Sequence, residues 1–383
     1  MSGNALNPKF CAELASNVYL IKDEFSRRGF NLKYKNTFDM QQSAMVEGKT
    51  GGFLIVKKSH VMAFMGVGQG DYKGQAFVAI KGTASLYDAL TDLNTGVHSS
   101  HTGFPVHQGF YYTFNSILHE LRQFLSQLKG VSVIHCIGHS LGGAIATLAA
   151  DWIKANGASS SVKLYTFGSP RVGFENFAGK CTSRLKPGNI FRVYHRTDPV
   201  PMVPTWPFFH VPNSNGGYLI DSPLAVKPWE FHLMKHYIDS AEKAGSWKKI
   251  ANNRPAGHLD SAVERWLKSD GILSFSANTL DLLNAALMYV IKKVINTAGI
   301  ALVTTTAATL TLMDRMAMFM AKAVKVTSDL SIWVFHLVRK MAALIGIKIK
   351  EDVDLTAAFI RTVFLRVHRK VSDMIWHVGQ ELN

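Results

Sequence analysis

The stretch 131–150, VSVIHCIGHSLGGAIATLAA, constrains this chain more than any other. Val131, Val133, Ile134 and Ile137 predict a buried strand, and Ala144 to Asp151 predict a helix. Between them stands Gly138-His139-Ser140-Leu141-Gly142. Passing from strand to helix in so few residues forces the central serine into a strained conformation. Gly138 and Gly142 sit where side chains would collide across the turn. The hydroxyl of Ser140 then projects from the end of a sheet beside a helix N-terminus, whose free N–H groups and dipole favour an anion. Ser140 is therefore the candidate nucleophile, and the N–H of Leu141 the first candidate donor to an oxyanion.

Such a serine needs a base, and the base needs an acid to orient it. Residues 190–194 predict a strand, and Asp198 lies just beyond it, before Pro199-Val200-Pro201. A carboxylate there shares the rim of the sheet with Ser140, although an Asp-Pro turn would use the same residues. FHLMKHYI offers His232 and His236, one helical turn apart, and both cannot take the base position with equal ease. His98, His101 and His107 have loose metal-ligand spacing, but no carboxylate or cysteine completes a set.

With 383 residues the chain has room for one large domain plus an addition, or for two domains. Its formal net charge of +15 favours anionic partners, and acidic lipid headgroups fit better than nucleic acid, for which no motif is present. Three scattered cysteines make no disulfide framework and suggest synthesis in a reducing compartment. The start, MSGNALNPKF, lacks the basic and apolar runs of a secretory signal, so the expectation is cytoplasmic synthesis with export, if any, by a signal-independent route.

Residues 8–28 predict one helix with an apolar stripe of Phe10, Leu14, Val18, Ile21 and Phe25. Strands are expected at 52–56 and 60–65, joined by Lys57-Lys58-Ser59, and again at 76–80, and a helix at about 110–128. From about residue 245 strand signals cease. Helices are expected at 277–293, 294–326, 328–347 and 354–379. Residues 294–313 carry no charge over twenty positions, the length of a membrane span, but their threonines favour a buried helix. Residues 355–379 combine Phe359, Val363, Phe364, Val367, Val371 and Ile375 with Arg361, Arg366, Arg369 and Lys370. That pattern suits either an interfacial helix on anionic lipid or a helix packed with a solvated basic face.

IKGTAS at 80–85, DALTDLNTG at 88–96, VHQGF at 106–110, HCIGHSLGGAIATL at 135–148, YTFGSPRVG at 165–173 and YHRTDPVPMVP at 194–204 together resemble the class 3 lipases, in the family's order. The resemblance covers roughly residues 50–240. It implies an α/β-hydrolase domain with a mostly parallel central sheet at 1–245, followed by an all-helical C-terminal region at 246–383. It implies Ser140, Asp198 and His232 as the catalytic residues, His232 being preferred because Met234 and Tyr237 follow it as the family's pattern has it, with His236 the alternative. It also implies Thr83 as the second oxyanion donor beside Leu141, and residues 85–93 as a lid, for which a fixed surface helix is the alternative. No cofactor or metal is expected.

These features imply hydrolysis of lipid carboxylic esters, with phospholipase A activity at membranes favoured by charge and by the apolar helices. A triacylglycerol lipase or small-ester carboxylesterase is the enzymatic alternative. The alternative of another class is a protein that binds or disrupts membranes through its C-terminal helices; a Ser140→Ala variant would spare that action. Expected partners are a lipid or phospholipid substrate, a membrane surface met by the basic C-terminal helices, and a protein that covers or delivers the enzyme. The architecture also resembles bacterial lipase effectors.

Overall fold

A computed structural model describes residues 5–50, 58–82, 96–205, 207–213, 217–220, 222, 228–250, 260–271, 273–298 and 311–381. Its frame is a seven-stranded sheet of β1 (Phe38–Thr50), β2 (Lys58–Gly68), β3 (Gln75–Ile80), β6 (Val133–His139), β7 (Ser161–Phe167), β8 (Ile190–His195) and β9 (Gly217–Ile220), in that spatial order. β1, β2 and β3 pair antiparallel, and β3, β6, β7, β8 and β9 run parallel. Short β4 (Val97–Ser99) and β5 (Pro105–His107) form a separate hairpin. The fold is an α/β-hydrolase sheet with a helical C-terminal region.

Successive side chains of the parallel strands point to opposite faces, and the core divides accordingly. Ala76, Val78, Ile80, Ile134, Cys136, Val162 and Leu164 face one layer, which holds α3 (Gln108–Gln127), α4 (Leu141–Ala155) and α5 (Glu175–Leu185). Phe77, Ala79, Ile137, Tyr165, Phe167 and Val193 face the other, which holds α1 (Pro8–Asn17), α2 (Glu24–Tyr34) and α6 (Met234–Ala244). Such two-sided burial explains why the central strands read as near-continuous apolar runs.

The single helix expected over 8–28 is broken. Asn7 caps α1, a 3-10 turn follows at Val18–Lys22, and Asp23 caps α2 by accepting from the Ser26 N–H. The break rotates Phe25 out of the predicted stripe, and it is 86% exposed. Of the hairpin expected at 52–65, Lys58 and Ser59 belong to β2, not to a turn, and residues 52–56 lie outside the described residues.

Beyond residue 250 the described elements are all helical: α7 (Asp260–Lys268), α8 (Ala277–Ala298), α9 (Leu312–Val324), α10 (Ser328–Leu344) and α11 (Ala357–Glu381). The helix expected over 294–326 is not continuous: its first residues, to Ala298, belong to α8, and a new helix starts at Leu312, where Thr311 and Asp314 form a reciprocal cap. Residues 299–310, most of the uncharged stretch, lie outside the described residues; among the described ones no helix is long and apolar enough to cross a membrane. The apolar faces of these helices continue the α3–α5 core without interruption: Leu280, Leu283, Met316, Met320, Leu337 and Phe364 belong to the same cluster as Val200 and Met202.

Candidate active site

Ser140 closes β6 and opens α4 with φ 56° and ψ −132°, a conformation side chains rarely adopt. The neighbouring glycines make it possible. A Cβ on Gly138 would lie 2.2 Å from the Gly142 carbonyl oxygen, and one on Gly142 would lie 2.1 Å from that of Ile80. The Ser140 N–H is pinned to the Phe167 carbonyl at 2.9 Å. Leu141 is the first residue of α4, so its N–H belongs to the turn that lacks intrahelical partners.

Asp198 follows β8 in the turn ahead of Pro199 and is fully buried. Both its carboxylate oxygens lie 2.9 Å from Nδ1 of His232, which is also fully buried. The Tyr237 hydroxyl donates to Oδ2 at 2.6 Å, and the Val200 N–H donates to Oδ1 at 2.9 Å. Burial and the adjacent Asp198 charge push the Tyr237 phenol well above its ordinary pKa, so it stays a donor. An acceptor-only carboxylate surrounded by three donors is held in one orientation, and with it the imidazole.

His232 and His236 are not on one helix. His232 ends the 3-10 turn Pro228–His232, Leu233 is extended (ψ 137°), and α6 begins at Met234. The break turns the two rings apart, and His236 packs on Phe231 at 4.8 Å between ring centroids. Thr83 lies outside the described residues, as do 85–93. Its neighbour Gly82 is in place, however: a Cβ there would stand 3.2 Å from Ser140 Cβ.

A second layer of contacts was not apparent from sequence. His139 Nε2 lies 2.8 Å from the His232 carbonyl oxygen, and its Nδ1 lies 3.0 Å from the Tyr19 hydroxyl. That hydroxyl accepts the Gly82 N–H at 3.1 Å, so it donates to Nδ1 and leaves Nε2–H to bond the carbonyl. Burial first, then the neighbouring His232, holds His139 well below the ordinary histidine pKa, matching this neutral form. Gly168, with φ 55°, closes the far side; a Cβ there would stand 2.5 Å from Asp198 Oδ2 and 2.9 Å from His232 Nδ1.

The loop after Asp198 is held from behind. Buried Arg171 donates through Nη1 to the Met202 and Pro204 carbonyls, and through Nη2 to Asp281 of α8 at 2.7 Å. Arg192 reaches the other Asp281 oxygen at 3.5 Å, and His210 bonds the Pro201 carbonyl at 2.9 Å while standing 3.5 Å from Asp281. His98, His101 and His107 are used separately: on the Tyr111 ring, on Asn115, and as the cap of α3.

The model of the family described as Lipase (class 3) matches residues 77–208. This stretch carries the class 3 lipase signature. The chain is similar to secreted mono- and diacylglycerol lipase 1 of Fusarium solani, 31% identical over 189 residues that cover 48% of this chain and 54% of that one. Toxin TseL of Vibrio cholerae serotype O1 is 34% identical over 162 residues, covering 42% of this chain and 22% of the toxin. Phospholipase A1-IIgamma of Arabidopsis thaliana is 30% identical over 162 residues, covering 35% of this chain and 38% of that protein. The chain spans about half the length of the mono- and diacylglycerol lipases it matches.

Proposed function

We propose that the chain hydrolyses carboxylic esters of lipids through a Ser140 acyl-enzyme, as a phospholipase A acting at membranes. The observation that carries this reading is the fully buried Asp198–His232 pair at 2.9 Å, on the rim where the strained Ser140 stands. In this reading Asp198 holds Nδ1–H of His232, so Nε2 takes the Ser140 proton as Oγ attacks the ester carbonyl. The oxyanion is met by the Leu141 N–H and by Thr83 beyond Gly82. The tetrahedral intermediate expels the alcohol, which receives the proton from His232, and water then attacks the acyl-serine by the same base.

A phospholipid substrate is supported by the net charge of +15 and by the likeness to a phospholipase A1; the likeness to a toxin supports an effector exported to attack membranes. We read residues 1–245 as the catalytic part and 246–383 as its helical cover. The test is release of fatty acid and lysolipid from phospholipid vesicles, read by mass spectrometry. Wild type is expected to release both and Ser140→Ala neither. Ser140-dependent turnover of a short soluble ester without release from vesicles would exclude the phospholipase reading and leave an esterase.

A further inference from the structure

Phe25 and Leu32 are 86% and 68% exposed, the two most exposed large apolar side chains among the described residues. Both are on α2. Seven residues apart, at 100° per residue, they stand within about 20° of each other around the helix. Phe30 and Tyr34 occupy the opposite side and are buried on Phe38 and Phe64. The outward pair therefore does not belong to the core stripe. Between them Gly29 is open, with nothing within 4 Å of where a Cβ would be. Arg28 and Lys35 flank the same face, and residues 22–35 hold five cations (Lys22, Arg27, Arg28, Lys33, Lys35) against two carboxylates, Asp23 and Glu24. Scattered exposed apolar residues are ordinary; a paired set at helical spacing within a basic surround is the pattern of a helix lying on anionic lipid.

The position of α2 matters as much as its composition. The turn Val18–Lys22 that leads into it places Tyr19 on Gly82 and His139, the residues on either side of Ser140. The exposed face thus begins three residues after the turn that lines the candidate site. We propose that the outward face of α2 is a docking surface for an anionic bilayer, with Phe25 and Leu32 inserted at the headgroup boundary and the Ser140 rim brought down beside them. This deepens the lipid-hydrolase reading and rests on it for the substrate, but its own test is binding.

The full chain is mixed with phosphatidylcholine vesicles with or without phosphatidylglycerol, and partition is measured by sedimentation alongside turnover of a short soluble ester. Wild type is expected to bind the anionic vesicles and to release them as salt rises. Phe25→Ser with Leu32→Ser should lower that partition by about ten-fold or more, since two anchors are lost, and leave soluble-ester turnover unchanged. Trp376→Ser, at an exposed site on α11, is the reference and should change it less. Equal partition of the α2 variant and wild type would overturn the proposal, as would failure of wild type to bind anionic vesicles. A concentration-dependent dimer of wild type that the α2 variant abolishes would assign the face to a second copy instead. If wild type binds but turns over no ester, the docking surface stands and the hydrolase reading falls.

Discussion

Asp281→Asn is expected to be among the most destabilising conservative changes in the chain. Asp281 is the carboxylate that Arg171 and Arg192 share, and their side chains are only 2% and 7% exposed. The substitution keeps shape and removes charge, leaving two guanidinium groups facing each other away from water. Removing one partner of a buried ion pair costs about 3–5 kcal/mol, and the slight exposure of Arg171 gives little screening to reduce it. For a chain of this size that corresponds to a Tm lower by about 4–6 °C, read by calorimetry at neutral pH. The pH dependence supplies a second check. Burial opposes ionisation of Asp281, but His210, Arg171 and Arg192 override it and hold the carboxyl well below the usual range. A folded-state pKa below the unfolded value of about 3.9 gives stability that is present above that value and lost as pH falls through the folded one. The gap between wild type and Asp281→Asn should therefore be constant above about pH 5 and shrink in stronger acid. A variant within about 1 kcal/mol of wild type at neutral pH would refute the argument that this carboxylate compensates the buried arginines.

Other expectations follow from the same geometry. Tyr237→Phe removes the 2.6 Å bond to Asp198 and should lower kcat with little change in KM, at a cost of about 1.5–3 kcal/mol, measured by steady-state hydrolysis of a soluble ester. Gly168→Ala must push its Cβ into the Asp198–His232 pair from a backbone at φ 55°, so activity should fall further than in Tyr237→Phe while far-ultraviolet circular dichroism is retained; an active Gly168→Ala enzyme would contradict the closeness of that wall. Burial holds His135 down to about 3, His195 to about 4 and His210 to about 3. The unfolded chain binds protons at these three sites from about pH 6.5 downward while the folded one does not, so stability should fall between about pH 6.5 and 4, by up to about 1.4 kcal/mol per pH unit for each group, in denaturant titrations.

What could be read from the sequence was what local chain geometry determines. The strand, the Gly-flanked serine and the helix are contiguous, so Ser140 was legible at once. Asp198 was legible because a strand's end fixes the rim on which the next turn lies. His232 and His236 stayed ambiguous because regular spacing assumes an unbroken helix, and the extended Leu233 ends that regularity between them. The same assumption put Phe25 in the core, when Asp23 restarts the helix in a new phase. β1 escaped notice because it pairs with β2 alone and carries Gln41, Gln42, Ser43 and Glu47, with register shifts between Asp39 and Ala44 and between Val46 and Glu47. Asp281 gave no local signal, since its partner Arg171 is 110 residues away.

That distant contact changes what the C-terminal helices are for. A detachable appendage would meet the catalytic part over a polar, separable surface. Here Leu280, Leu283 and Leu287 of α8 share one apolar cluster with Val200, Met202 and Val203, the loop that follows Asp198. Arg171 bonds two carbonyls of that loop and, among the described residues, pairs with Asp281 of α8. The carboxylate that orients His232 therefore depends, through one arginine, on a helix outside the matched stretch 77–208. Cutting the chain near residue 245 would uncover apolar surface on the α3–α5 face and take Asp281 from Arg171 and Arg192, so α8 braces the loop that follows Asp198.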